Sequence, residues 1–401
     1  MGIKEKLSRP GPKRLLALDG GGIRGMISIE VLASIEALLK RRMNRGDDFV
    51  LADYFDYIAG TSTGGIIATC LAWGMKVAAV RKFYRDNGKT MFDKASILRR
   101  FLYKYDDTAL AEKLREVFSE NGKPSVLGSA RLRTLLMLVM RNSTTDSPWP
   151  ICNNPAAKYN DRARADCNLN LPLWQLVRAS TAAPTYFPPE VIDVGTQRFT
   201  FVDGAITPYN NPAMQLFVMA TLPQYQLGWE TGDDKLLIVS IGTGVSPEAN
   251  ENLAPGDMNL LYNATSLPSA LMAGALYQQD LLCRALGNCL HGNELDREVG
   301  SLVCNEANIG VPRQFTYVRY NVELSSRGLV ELGVGDICPA HVQQIDSIAY
   351  IQELERVGQA VGRGVKDEHF PVVFNDRHGF DPIRELGETR HEEKIESKVK
   401  G

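Results

Sequence analysis

Ser62 is the first residue of this chain whose surroundings single it out for chemistry. It stands in Gly60-Thr61-Ser62-Thr63-Gly64-Gly65, after the apolar run Tyr57-Ile58-Ala59 and before the helix-like stretch Ile66 to Trp73. A serine on a sharp strand-to-helix turn needs small flanking residues, so that the backbone bends and the hydroxyl oxygen projects from the top of a sheet. The following helix aims N–H groups and the positive end of its dipole at negative charge beside that oxygen. Glycine and serine also meet this way in ordinary turns. The strand before, the helix after and the additional Gly65 are what favour an elbow here.

A serine hydroxyl is a weak nucleophile until a base takes its proton, and the usual base is a histidine steadied by a carboxylate. None of the five histidines precedes His291. In α/β-hydrolases the chain order is serine, acid, histidine, which leaves His291 and His341 eligible. Yet His291 lies in the polar stretch 288–294 and His341 at the expected start of a helix, both settings of surface residues. Asp203 offers another base. It ends the apolar run Phe199-Thr200-Phe201-Val202 and precedes Gly204-Ala205, and a carboxylate at a strand end beside a dry pocket has its pKa raised toward that of a useful base. Turn and cap aspartates are common as well. On balance the sequence favours a Ser62–Asp203 dyad.

Asp19-Gly20-Gly21-Gly22-Ile23-Arg24-Gly25 closes an early apolar run and opens another helix-like stretch. Consecutive glycines let peptide N–H groups approach negative charge closely. Read as Gly20-x-Gly22-x-x-Gly25, the loop matches a dinucleotide fingerprint, with Asp47 or Asp48 near the spacing of a ribose-binding acid. Read as a glycine-rich loop after an early strand, it supplies N–H donors to the tetrahedral intermediate of acyl transfer. A tight connection with no ligand is the plainest reading. Ser62 tips the balance, because an acyl-transfer serine needs donors from a second loop and a nucleotide site gives it no task. Gly20, Gly21 and Gly22 are therefore expected to line an oxyanion hole. Arg24 suits either an anionic phosphate of the substrate or a carboxylate on the next helix.

Strands and helices must carry these groups. Apolar runs at 15–18, 57–59, 135–140, 199–202 and 236–241 end in or near Gly or Asp and suit strands covered on both faces. Between them, 27–40, 66–73, 109–118, 173–179 and 270–286 read as helices, so an α/β sheet wrapped on both sides is expected, with reactive groups at its strand ends. No repeat or linker interrupts 14–375, which reads as one domain between a loose arm at 1–13 and a charged tail at 376–401. The Asn/Asp/Pro/Ser-rich stretch 142–170 is expected to be a long surface excursion.

The balance of 45 basic and 47 acidic residues gives a net charge of -2. No global field draws such a chain to nucleic acid or an anionic bilayer, so any membrane contact is expected to be local and transient. The first residues lack the apolar core of a secretory signal, Lys6 stands where a myristoylation signal needs Ser or Thr, and no apolar run spans a bilayer. Seven scattered cysteines without a C-x-x-C pair fit free thiols in a reducing cytosol. Neither a metal nor a cofactor is expected.

The motifs at 19–25, 60–65 and 203–205 resemble, in order and setting, those of the patatin-like phospholipases. So do Ala179-Ser180-Thr181-Ala182-Ala183-Pro184-Thr185-Tyr186-Phe187-Pro188 and Ile241-Gly242-Thr243-Gly244. The resemblance implies a three-layer α/β/α sandwich with a mostly parallel central sheet. It also implies calcium-independent hydrolysis of acyl esters, with Ser62 as nucleophile, Asp203 as base and Gly20, Gly21 and Gly22 at the oxyanion. The implied substrate is a phospholipid or related acyl lipid, met by a cytoplasmic protein at membrane surfaces, with a homo-oligomer left open. The competing expectation is a nucleotide-binding module, or an effector switched on by a cyclic nucleotide as in some bacterial relatives, using the same glycine loop.

Overall fold

The structure is a computed structural model and describes residues 2–92, 108–184, 187–246, 260–304, 310–346 and 348–374. Among the described residues its main sheet has nine strands: β1 Lys13–Leu18, β2 Tyr57–Thr61, β3 Leu135–Asn142, β4 Ser147–Cys152, β5 Glu190–Val194, β6 Gln197–Asp203, β7 Leu236–Ile241, β8 Asn288–His291 and β9 Thr316–Tyr320. The order is β8-β9-β7-β1-β2-β3-β6-β5, with β4 also paired to β3. From β8 to β3 every pairing is parallel, and β4, β5 and β6 join antiparallel.

Alternation of side chains along the strands feeds two cores. Leu16, Leu18, Ile58, Val239 and Val318 face one, and Leu15, Ala17, Tyr57, Ile238 and Tyr317 the other. The first core is covered by α1 Gly25–Arg42, α2 Thr63–Ala72, α3 Val77–Phe92, α4 Thr108–Val117, α5 Leu173–Ser180 and α8 Ile351–Gly362. The second is covered by α6 Ala213–Thr221 and the end of α7 Leu260–Leu286. This is the expected three-layer sandwich. Helix α1 buries Ile27, Val31, Leu32, Ile35 and Leu39 at helical spacing and ends in Lys40-Arg41-Arg42, cations that suit a helix C-terminus. It lies close to α8 because a Cβ at Gly358 would come within 2.7 Å of Glu30 Cβ.

One feature of the sheet sets where Ser62 and Asp203 lie. Strand β3 pairs with β2 over Leu135–Val139 and with β6 over Met140–Asn142, while β4 runs along Met137–Asn142. Since β4 overlaps both, it takes the opposite edge, and β2 and β6 share the other end to end. Thr61 faces Val139 and Asp203 faces Met140, so the strands finish head to head on neighbouring residues.

Two expectations are corrected. The first residues are not a loose arm: Ile3–Ser8 form a helix, and Lys6 is buried, donating to the Phe55 carbonyl at 2.5 Å and facing Asp56 at 3.8 Å. Its long aliphatic stem lets a charged residue pack inward while its ammonium finds oxygen. Part of the 142–170 stretch returns to the sheet as β4, and its asparagines serve the main chain: Asn153 accepts from Leu136 N–H at 2.8 Å and donates to the Thr134 carbonyl. The expected tail at 376–401 lies outside the described residues.

Candidate active site

In the sheet, Leu18 is level with Gly60 on one side and Ile241 on the other. Asp19-Gly20, Thr61-Ser62 and Gly242-Thr243 therefore leave the carboxyl edge side by side. Ser62 turns at φ 55° and ψ -123° before α2 begins, a left-handed conformation that costs a non-glycine residue of order 1–3 kcal/mol. The neighbouring glycines make the turn feasible. A Cβ at Gly60 would lie 2.1 Å from the Gly64 carbonyl oxygen, and one at Gly64 would lie 2.2 Å from that of Leu18.

The Ser62 hydroxyl donates to Asp203 Oδ2 at 2.6 Å, and the other carboxylate oxygen accepts from Ala205 N–H at 2.7 Å. Asp203 is 2% exposed. Burial pushes its carboxyl up to about 7, against the opposing hydrogen bonds from Ser62 and Ala205 and the nearby Arg178 charge. An acid so placed is ready to exchange a proton near neutral pH.

The glycine loop presses on the elbow, since a Cβ at Gly20 would sit 3.2 Å from Ser62 Cβ. Gly20 is held at both ends: its N–H donates to the main-chain and side-chain oxygens of Asn210 at 3.2 and 3.1 Å, and its carbonyl accepts from Thr243 Oγ1 at 2.9 Å. Gly22 adopts φ 61° with Ile345 O where a Cβ would be. Among the described residues, the N–H groups of Gly21 and Gly22 have no acceptor. Of the three expected oxyanion donors, Gly20 is thus already engaged.

A family profile for patatin-like phospholipase matches residues 16–217, half of the chain. The chain belongs to the patatin-like phospholipase family. Patatin-17 of Solanum cardiophyllum is 30% identical over 251 residues, covering 58% of this chain and 61% of the relative. Patatin-1-Kuras 2 of Solanum tuberosum is 30% identical over 254 residues, covering 58% and 63%. The chain thus spans about three fifths of the length of these curated patatins. Among solved structures it is similar to human GIVD cytosolic phospholipase A2, at TM-score 0.44 and 14% identity over 92% of this chain and 61% of that one. It is also similar to VipD from Legionella pneumophila, at TM-score 0.36 and 15% identity over 89% and 68%.

In this patatin-like chain the histidines weighed for a triad are spent elsewhere. His291 stacks on His369 at 4.5 Å, and His341 stacks on Tyr350 at 3.6 Å while facing Glu353. Neither hydrogen-bonds to Ser62 or Asp203. Arg24 bonds the Ser246 hydroxyl at 3.4 Å and the Gln343 carbonyl at 3.3 Å, and burial pulls its guanidinium down to about 10. Both partners are neutral, and no ion pair between Arg24 and a carboxylate is found among the described residues, so of the two readings of Arg24 the acid on the next helix finds no support. Asp47 and Asp48, weighed for a ribose, lie past the far end of α1, an 18-residue helix about 27 Å long. They pair instead with Lys40 and Arg45. Sequence reasoning missed Asn210, which sits in an unremarkable Pro-Tyr-Asn-Asn-Pro turn. It also gave Ser180 and Thr243 no task.

Proposed function

We infer that the chain is a serine acyl hydrolase of membrane-type lipids working through a Ser62–Asp203 dyad. The 2.6 Å hydrogen bond between the Ser62 hydroxyl and the buried Asp203 carboxylate carries this reading. Ser62 Oγ attacks the ester carbonyl carbon while its proton passes to Asp203 Oδ2. The oxyanion takes the free N–H groups of Gly21 and Gly22, Gly20 acting through its grip on the loop. Asp203 then hands the proton to the departing alcohol, leaving an acyl ester on Ser62. Water attacks that ester, losing its proton to Asp203, which returns it to Ser62 Oγ as the acyl–oxygen bond breaks and the fatty acid leaves.

Arg24 beside the glycine loop, with only neutral partners described, suits the phosphate of a phospholipid head group. Such a substrate implies transient contact with a membrane surface from the cytoplasmic side. Among the described residues no helix is long and apolar enough to cross a membrane. The nucleotide alternative is weakened by the distance of Asp47 and Asp48 from the glycine loop.

A fluorophosphonate probe tests the reading. Wild type is expected to be labelled at Ser62 and Ser62→Ala not at all, with fatty-acid release from phospholipid vesicles, followed by mass spectrometry, falling at least about 10³-fold. Equal release by the two proteins would sink it.

A further inference from the structure

Ser62 is held in its strained turn by something outside its own motif. Its N–H donates to Ser180 Oγ at 3.0 Å and finds no other acceptor among the described residues. Ser180 Oγ in turn donates to the Val139 carbonyl at 2.6 Å. The direction of both bonds is forced, because a carbonyl only accepts and an amide N–H only donates, so the hydroxyl proton points to Val139 and a lone pair to Ser62. Val139 is the β3 residue level with Thr61.

Two residues further on, the Ala182 carbonyl accepts from Asp203 N–H at 2.9 Å. One short turn at the end of α5 thus grips the main chain of both dyad residues, one through a side chain and one through its backbone. The turn is well seated: Ser180 is 0% exposed, and Leu173, Leu176, Val177 and Ala179 of α5 are in the first core. It is also tight, since a Cβ at Gly65 would lie 3.2 Å from Ser180 Oγ.

We propose that Ser180 is a positioning residue for acyl transfer, its hydroxyl fixing the Ser62 turn so that the nucleophile stays within hydrogen-bond reach of Asp203. The inference rests on Ser62 being the nucleophile. A strained φ near +55° relaxes when the tether on its N–H is cut, and a hydroxyl displaced by a fraction of an ångström leaves the line of attack.

The test uses the full chain and three readouts: the rate constant for fluorophosphonate labelling of Ser62, kcat and KM on a soluble p-nitrophenyl ester, and the melting temperature. Ser180→Ala is expected to lower labelling rate and kcat together by about 10- to 100-fold, with KM unchanged within about two-fold. Ser180→Thr, which keeps the hydroxyl, is expected to recover most of the loss. Ser180→Ala labelled as fast as wild type overturns the proposal. So does an equal loss in both variants, which would make the effect one of packing. Wild type that resists the probe at Ser62 would instead bring down the hydrolase reading, and this inference with it.

Discussion

The glycine loop lies between two flanks that hold it by different physics. Toward β2, β3 and β6 the restraints are main-chain ladders and small hydroxyls: strand register, the Ser180 bridge and the Ala205 amide on Asp203. Toward β7 and β9 they are charges. Arg319 on β9 grips both Asp19 carboxylate oxygens at 2.9 and 2.6 Å and also bonds Ser240, all buried. Beyond it, Asp280 on α7 lies 4.0 Å from the same guanidinium and is itself paired to Arg284 at 2.7 Å. The ladder side tolerates no unit of change smaller than a residue. The charged side is a chain of pairs, in which losing one member strands the next in a medium that penalises lone charge.

Substitutions on each side therefore fail in different ways, and the contrast can be broken by experiment. The largest effect is expected from Asp203→Asn, which removes the proposed base: kcat falls about 10³-fold while folding is preserved. Burial raises the Asp203 carboxyl, so the folded state holds its proton more tightly than the unfolded chain, and the ionised residue costs stability as pH rises from 3.8 through about 7. The variant is accordingly expected to melt no lower than wild type at pH 8, by calorimetry. In the wild type, kcat/KM rises with pH and is half-maximal at about 7. A flat profile from pH 5 to 8 removes Asp203 as base.

Arg319→Met should do the reverse, costing about 3–5 kcal/mol of stability by stranding Asp19, measured by urea unfolding. Burial raises Asp19, and the variant lacks the cation that opposes this. Its folded state then favours protonated Asp19, so the loss should be greater at pH 8 than at pH 5. An equal loss at both pH values would dissolve the distinction between the flanks. Smallest is Thr243→Val, which removes the bond to the Gly20 carbonyl. About 1 kcal/mol, or a several-fold drop in kcat, is expected in steady-state assays.

The legibility of the sequence follows the same divide. The elbow, the glycine loop and Asp203 can be read because close backbone approach demands glycine, and because the strands before them are continuous apolar runs. Strand β9 escaped notice because Arg319 interrupts Thr-Tyr-Val-Arg-Tyr, and nothing local says that its charge is answered by a residue 300 positions earlier. Strand β5, an edge with the burial of Glu-Val-Ile-Asp-Val alternating, is too polar to stand out. The first turn of the chain read as loose because Lys6 counts as solvated until Asp56 and the Phe55 carbonyl are seen beside it. Asn210 and Ser180 act on backbone groups distant in the chain, and Asn and Ser are common enough in turns and helix ends that composition gives no hint of it.

The head-to-head meeting of β2 and β6 along β3 makes that strand a ruler. The ends of the two strands, Thr61 and Asp203, stand one step apart on its ladder, independent of the more than one hundred residues that separate them in the chain. Loops elsewhere can lengthen or shrink without touching that interval, whereas a single residue inserted between Val139 and Met140 would pry the pair apart. Heat parts those two strand ends only by opening the β3 ladder itself.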